Sequence, residues 1–441
     1  MADVLLVNAG WGALFSGKVK RYNRRFPPLD LLNCAALLRN AGHRVSLIDG
    51  RAGDGRDLGQ AASRADHIMV TLSSLDRWQC PNTDLDQVDR FLEPFPSDRL
   101  TLMGAQVTVR PELLLQRTGA LGAILGEPEG AVIGLADGGA HGEIAGTAAL
   151  QGAELVKTEN QPLDLTDLPT PAFDLIDFNH YRYEVLGGRM GLLELTRGCP
   201  WRCRFCLLAM YGKKYRRKTP AQLVEEVRVA WSQGMRCAYF QDLEFTLDHE
   251  LVAATCEALK RSGLPLRWGC QTRPDTIDRP LLQLMREAGC EVIHYGVESG
   301  VPRVVKTTDK RQSLDAVETG VRLAREVGMN SLCYFLIGLP GETPDEMYRT
   351  FEFARRVGPT WASFQVATPY PTTRYHDEAE FSEAFPECFD GALSADELRA
   401  LARRFTAEYH LRPAYIMDRL KGPGRRGALR EAGLIARYLW S

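Results

Sequence analysis

Apolar runs and amphipathic segments alternate along most of this chain. From residue 4 the order reads strand VLLVNAG, helix LDLLNCAALLRNAG, then strands HRVSLIDG, DHIMVTLS, RLTLMGAQVT and LGAILGEPEG, with helical or loop segments between the later strands. Near-continuous apolar strands separated by helices predict a parallel sheet covered on both faces. Residues 1–150 are therefore read as a doubly wound, Rossmann-like domain whose ligand side lies at the strand carboxyl ends. The polar, proline-bearing stretch ENQPLDLTDLPTPAFDLIDF marks a linker, assigned to 151–185.

Beyond it the alternation restarts with a longer period. The segments TPAQLVEEVRVAWSQG, DHELVAATCEALKRSG, DRPLLQLMREAG, SLDAVETGVRLAREVG and TPDEMYRTFEFARRVG each read as a helix closed by glycine. The strands between them are LLELT, CAYFQ, LRWGCQ, EVIHYGV, SLCYFLIG and ASFQVAT. Repeated units of this kind curl into a full or partial barrel, with reactive groups at the strand carboxyl ends. The predicted fold class is α/β: a doubly wound domain, a partial (β/α)6 barrel over 186–375, and a small helical region over 376–441. That last region is polar, ends in the basic run RLKGPGRRGALREAGLIARYLW, and is expected to be a solvated cap packing on the barrel.

Composition narrows the picture. A chain of 441 residues with 45% apolar side chains can bury full cores, and a formal net charge of -2 gives no electrostatic reason for a nucleic-acid or anionic-membrane partner. No apolar run is long enough to span a bilayer and the start shows no signal-peptide pattern, so a cytoplasmic location and a small-molecule substrate are expected. Most of the 11 cysteines stand singly in apolar segments, as reduced thiols do. Three of them break that pattern.

At the end of the first barrel strand, LTRGCPWRCRFC places Cys199, Cys203 and Cys206 in a C-x3-C-x2-C spacing. A structural zinc site normally takes four protein ligands, and this loop offers three thiolates and no histidine. A 4Fe-4S cluster on three cysteines keeps one iron open for a ligand, which is a catalytic arrangement. The motif, with the aromatic Phe205 before its last cysteine, resembles that of the radical S-adenosylmethionine (SAM) superfamily. The resemblance covers the barrel and implies a 4Fe-4S cluster, SAM bound to its open iron, and reductive cleavage to a 5'-deoxyadenosyl radical that abstracts hydrogen from carbon.

Further segments fall on the expected strands. In FQDLEFT, Asp242 and Glu244 lie on one side of an extended segment. The resemblance gives one to the SAM amine and leaves the other for substrate, as a general acid. A solvated acidic turn is the plain alternative. In CQTRPD, Gln271 and Arg273 are expected near SAM, the guanidinium as a clamp for its carboxylate; a surface arginine before a proline turn is the alternative. YGVESG resembles the ribose-binding strand and implicates Glu298 and Ser299, with Gly296 and Gly300 permitting close approach. GLPGET resembles the adenine-packing segment through Gly338, Pro340, Gly341 and Glu342, and Lys310 matches a lysine common in the subgroup. The run YGKKYRRK at 211–218 is read as a solvated basic face, with docking of an acidic electron donor such as flavodoxin as its functional reading.

The order of VLLVNAG, PPLDLL, AGHRVSLIDG, MGAQVT and GEPEG resembles the cobalamin-binding domain of B12-dependent radical SAM enzymes. Gly104 and Ala105 replace that family's paired glycines, and SSLDRWQC puts Arg77 and Trp78 where bulk would hinder a corrinoid. The D-x-H-x-x-G axial-ligand motif is absent. Two enzyme readings follow. The leading one is radical dehydration or deoxygenation of an aminosugar in antibiotic biosynthesis, similar to the diol dehydratases of aminoglycoside pathways, with a separate reductase finishing the product. The alternative is cobalamin-dependent C-methylation. A nonenzymatic cluster or corrinoid carrier would need no SAM pocket, and the matching segments on four strands argue against it.

Overall fold

The computed structural model describes residues 1–10, 25–52, 57–72, 84–183 and 185–421. Arg77, Trp78 and nearly all of the basic C-terminal run lie outside the described residues. The first sheet contains β1 (Asp3–Asn8), β2 (Arg44–Asp49), β3 (His67–Thr71), β4 (Leu100–Met103), β5 (Gly122–Ile124), β6 (Thr147–Gln151) and β7 (Glu154–Lys157). Their order is β2-β1-β3-β4-β5-β6-β7, parallel through β5 and antiparallel beyond.

The period of two explains why this sheet is covered twice. Leu5 and Val7 enter one apolar core with Ile68, Val70 and Leu102, while Val4 and Leu6 enter another with Met69 and Met103. Two details depart from the expectation. RLTLMGAQVT is a strand only as far as Met103. Gly104, at φ 106° and ψ -177°, turns the chain into a short helix at Ala105–Val109. The hairpin β6–β7 runs to Lys157, across the boundary expected near residue 150.

The second sheet takes β8 (Arg182–Tyr183), β9 (Gly188–Leu193), β12 (Cys237–Phe240), β13 (Arg267–Thr272), β14 (Cys290–Glu298), β15 (Asn330–Ile337) and β16 (Trp361–Val366). A small ladder of β10 (Thr196–Arg197) and β11 (Arg216–Arg217) stands apart. From β9 to β16 the strands are parallel and follow chain order, and β8 closes one edge antiparallel to β9. This is the expected partial barrel. On β15, Cys333, Phe335 and Ile337 are buried in the helix-covered core, and the alternate Leu332, Tyr334 and Leu336 are half-buried on the inner face.

The five helices read from the pattern are present as Pro220–Ser232, His249–Ser262, Arg279–Glu287, Leu314–Glu326 and Pro344–Val357. Thr219 with Gln222 and Thr343 with Glu346 form capping boxes at two of them. The C-terminal region packs on the barrel, and one face of its first long helix is buried there rather than solvated. Helix Ala395–Leu411 buries Leu398, Ala402, Phe405 and Tyr409, and Phe405 stacks on Phe351 with ring centroids 4.7 Å apart. A fully buried side chain of leucine or phenylalanine size contributes about 1.5–3 kcal/mol. Its apolar positions recur at helical spacing, so the helix forms part of the barrel wall.

One apolar core continues from helix Leu29–Asn40 under the first sheet to the barrel residues Leu193, Leu195, Leu207 and Met210. The two sheets thus share packing, with the carboxyl ends of the first set against the barrel mouth.

Candidate active site

The loop between β9 and the helix Pro220–Ser232 carries the three cysteines. Its base is closed by the β10–β11 ladder and by a hydrogen bond from the Lys218 N–H to the Leu195 carbonyl at 2.8 Å. Gly198 has φ 86°, and a Cβ there would stand 2.1 Å from the Lys214 carbonyl oxygen, so the tight turn into Cys199 requires glycine. Further along, the Arg204 N–H donates to the Thr308 carbonyl at 2.9 Å and the Arg204 carbonyl accepts from the Tyr375 N–H at 3.1 Å. Phe205 packs among Val301, Val304, Leu339 and Tyr375, anchoring the loop to the rim of β14 and β15.

Cys199, Cys203 and Cys206 are free thiols. Burial pushes Cys199 up to about 11, with Glu244 and Cys203 adding to the rise. Cys206 is pushed up further by burial and by both neighbouring thiols, and Cys203 is raised by burial against the opposing charges of Lys310 and Arg273. Three thiols that raise one another are close together and need cationic compensation to ionise. An iron-sulfur cluster fits that donor set. Among the described residues no group of three or more His, Cys, Asp or Glu side chains is arranged for a single metal ion. A cuboidal cluster makes a different demand, because each thiolate ligates its own iron.

Around the loop the structure corrects several assignments. Asp242 does not face an open site. Its carboxylate accepts from the N–H groups of Leu195 and Thr196 at 3.0 and 2.7 Å and from the Thr196 hydroxyl at 2.7 Å, which braces the start of the cysteine loop. Burial raises it to about 7 despite those donors. Arg273 is not an available clamp either. Its fork is held by Asp275 at 2.8 and 2.6 Å and by the Lys310 carbonyl at 2.8 Å, and it lies 4.1 Å over the Trp201 ring. Ser299 is fully buried and shares a 3.0 Å hydrogen bond with Thr350, tying β14 to the helix Pro344–Val357.

Other assigned residues do converge. On Glu244 all three hydrogen bonds fall on Oε1, from the Thr272 and Thr276 hydroxyls and, at 3.1 Å, the Arg273 N–H. Oε2 makes no hydrogen bond among the described residues, and Cys199 feels its charge. Gln271 is half-buried at the end of β13. Glu298 sits at φ 70°, an uncommon conformation for a non-glycine residue, beside a register shift in the β14–β15 pairing. Its Oε1 accepts from Lys310 Nζ at 2.6 Å, and Nζ also donates to the Gly296 carbonyl at 2.7 Å. A Cβ on Gly296 would come within 2.6 Å of both partners, so glycine there makes room for the pair.

Glu342 builds the GLPGET turn by accepting from the N–H groups of Gly338 and Leu339 at 2.8 and 3.1 Å. Gly338 meets helix Ala395–Leu411, with Leu398 where a Cβ would be, whereas Pro340 and Gly341 line a cavity of about 340 Å³ with Arg204, Tyr375, Phe381 and Phe389.

A buried charge network joins the two sheets, and sequence reasoning missed it. Arg197, 1% exposed, donates to Glu127 at 2.7 Å, to Glu129 at 2.6 Å, and to Glu194 at 2.9 and 2.7 Å. Arg216 also pairs with Glu127, and Lys218 lies 2.6 Å from Glu226 and 3.7 Å from Glu194. The expected solvated face of YGKKYRRK is thus overturned for Arg216 and Lys218, while Lys213, Lys214 and Arg217 are exposed. The available signals were the two acids of GEPEG and the lone Glu194 inside an apolar strand. Both mark buried carboxylates that need partners.

At the carboxyl end of β4 a different feature stands out. Gln106 is 0% exposed, and neither Oε1 nor Nε2 has a hydrogen-bond partner. Asn8, at the end of β1, leaves its Oδ1 unpartnered while Nδ2 donates to Asp49 at 2.9 Å. Orphaned buried amide atoms on the ligand side of a doubly wound sheet fit a large polar cofactor such as a corrinoid. Ala105, which replaces the second of the family's paired glycines, is buried in the core shared by the two sheets.

Residues 193–354, from the end of β9 into the helix after the GLPGET turn, match the model of the Radical SAM superfamily. The chain contains a radical SAM domain. This radical SAM enzyme is 27% identical over 419 residues to an uncharacterized methyltransferase of Pyrococcus horikoshii, covering 89% of each chain. An anaerobic magnesium-protoporphyrin IX monomethyl ester cyclase of Cereibacter sphaeroides is 29% identical over 54% of the chain, which spans 40% of that relative. Among solved structures, the fold resembles the radical SAM methyltransferase TsrM of Kitasatospora setae, with TM-score 0.72, 17% identity, and coverage of 100% and 99%. It also resembles the cobalamin-dependent enzyme OxsB, with TM-score 0.75, 16% identity, and coverage of 99% of this chain and 72% of that one. The likeness spans both sheets and establishes a doubly wound sheet of the B12-binding type joined to a radical SAM half-barrel. A 4Fe-4S cluster and SAM are the cofactors that this domain brings. No helix among the described residues is long and apolar enough to cross a membrane.

Proposed function

We propose that this radical SAM enzyme is a cobalamin-dependent methylase acting on carbon in a small polar substrate. The observation that carries the reading is the relative named as a methyltransferase over 89% of both chains. Supporting it are the whole-length likeness to TsrM and OxsB and the orphaned Gln106 amide on the ligand side of the first sheet. Dehydration of an aminosugar loses ground. None of the reported relatives carries a name of that kind, and Arg77 and Trp78, whose bulk favoured it, lie outside the described residues.

In this reading Cys199, Cys203 and Cys206 hold the cluster, with the Asp242 carboxylate fixing the entry to their loop and Phe205 fixing its exit. Arg273 and Lys310 place two positive charges near the thiols and favour their ionised form. Glu244 Oε2 is assigned to the SAM amine, an ion pair that burial strengthens. The Glu298 carboxylate, oriented by Lys310, receives the ribose hydroxyls, and Gln271 borders the same space. Pro340 and Gly341 flank adenine. When bound, these cofactors supply a 5'-deoxyadenosyl radical for hydrogen abstraction and a transferable methyl group. The protein's own work is to hold the reacting groups in register and keep water out.

The deciding experiment is anaerobic turnover with methyl-labelled SAM after purification with hydroxocobalamin. Methylation forms S-adenosylhomocysteine together with 5'-deoxyadenosine and transfers label to product. Formation of 5'-deoxyadenosine without S-adenosylhomocysteine or label transfer would return the dehydration reading to first place.

A further inference from the structure

The least expected side chain in the first sheet is Gln106. It follows β4 and Gly104, on the edge where an open parallel sheet receives its ligand. Its neighbours face both ways: Ala105 enters the core shared with the barrel and Val107 the core behind the sheet. Nearby, the Thr108 hydroxyl donates to the Gly104 carbonyl at 2.8 Å and lies 3.5 Å from Met210 Sδ of the cysteine loop. The short helix that carries Gln106 therefore stands at the seam between the first sheet and the loop that carries the thiols.

Both ends of this amide are unpartnered. A buried polar atom without a partner costs about 1–3 kcal/mol. A leucine or methionine of similar size would avoid that cost twice over. What such a site lacks is one group offering a donor and an acceptor side by side. Another primary carboxamide does this, its N–H meeting Oε1 and its carbonyl meeting Nε2 in a reciprocal pair. The edge of the cobalamin ring carries carboxamide side chains. Phosphate, carboxylate and ester groups offer acceptors only and would leave Oε1 unpaired.

We infer that Gln106 recognises a peripheral carboxamide of the corrin ring, and that its unpaired state is stability given up for cofactor binding. This rests on the proposed cobalamin-dependent function. It names a contact on the ring edge that is separate from any axial ligand.

The test uses full-length protein purified anaerobically without corrinoid, wild type and Gln106→Leu, titrated with hydroxocobalamin by visible absorbance. The expected result is binding by the wild type and a loss of about tenfold or more in affinity in the variant, the worth of one or two net hydrogen bonds. The variant's apoprotein should also melt at a higher temperature than the wild type's, which excludes misfolding as the cause. A second titration compares cobinamide, whose ring edge carries carboxamides, with heptamethyl cobyrinate, whose edge carries esters. Wild type should prefer the carboxamide form, and Gln106→Leu should lose that preference. Wild-type protein that binds no corrinoid overturns the proposed function, and this assignment with it. Uptake by wild type with equal affinity and equal edge preference in the variant overturns this assignment alone.

Discussion

Replacing Arg197 by methionine removes the hub of the charge network while keeping the length of the side chain. Three cations, Arg197, Arg216 and Lys218, face four carboxylates, Glu127, Glu129, Glu194 and Glu226, all essentially buried. Burial works to raise Glu194, but Arg197 and Lys218 more than offset it and hold the carboxyl at about 2. Without Arg197, Glu129 keeps only Asn33 as a hydrogen-bond partner, at 3.1 Å. Leaving a buried charge unpaired costs about 3–5 kcal/mol. Protonation limits that cost: taking a carboxyl of ordinary pKa near 4.5 to its neutral form at pH 7 costs about 3.4 kcal/mol, at about 1.4 per unit.

The expected loss for Arg197→Met is therefore about 3–4 kcal/mol at pH 7. The freed carboxyl then has a folded pKa above its unfolded value. The deficit is smallest below the unfolded pKa and grows as pH rises, by about 1.4 kcal/mol per unit. At pH 5.5 it should be about 2 kcal/mol smaller than at pH 7. Urea titration of the apoprotein at the two pH values measures this, and Arg197→Met/Glu129→Met should recover part of the loss. A deficit under about 1 kcal/mol, or one independent of pH, would refute the claim that Arg197 compensates these acids. Because Arg197 lies two residues before Cys199, iron uptake on reconstitution should fall as well.

Changing Gly296 to alanine puts a methyl against Lys310 and Glu298; SAM binding by calorimetry should weaken at least tenfold with the secondary structure intact, and unchanged affinity would remove the Glu298 pair from the SAM site. Cys199→Ser should lose most iron on anaerobic reconstitution, whereas Cys388→Ser, far along the chain and outside the loop, should keep wild-type iron content. Burial pushes the Asp30 carboxyl up to about 7. The folded state thus binds an extra proton between the unfolded pKa near 3.8 and about 7, and the stability this group contributes falls as pH rises through that window. Asp30→Asn should gain on wild type by about 1.4 kcal/mol per pH unit across it, read from urea midpoints at pH 5, 6 and 7; parallel profiles would contradict the raised carboxyl.

Much of the fold was legible because its signals are local. The period-two runs of β1, β3 and β15 and the glycine-closed helices of the barrel depend on backbone geometry within a few residues. The strand misread at RLTLMGAQVT shows the limit: Gln106, Val107 and Thr108 suit either state, and Gly104 makes the turn that ends the strand. The site divides in the same way. The thiol spacing, the strand-end motifs and the need for glycine at 296 could be anticipated. The occupation of Asp242 by the backbone of Leu195 and Thr196, and of Arg273 by Asp275, could not, since a charged residue at a strand end looks the same whether it faces a ligand or a neighbouring loop.

By itself the sequence determined the family, the thiolate motif and the two successive α/β units, because spacing along a chain dictates which side chains share a face or a turn. Only the tertiary structure decided which charges are spent inside the protein. Arg216 became an interior ion-pair partner because Glu127, far away in sequence, arrives opposite it when the sheets dock, and Lys218 because the barrel folds Glu226 and Glu194 around it. Gln106 is likewise buried with its amide unpaired, and no local pattern announces a group that the fold leaves without a partner.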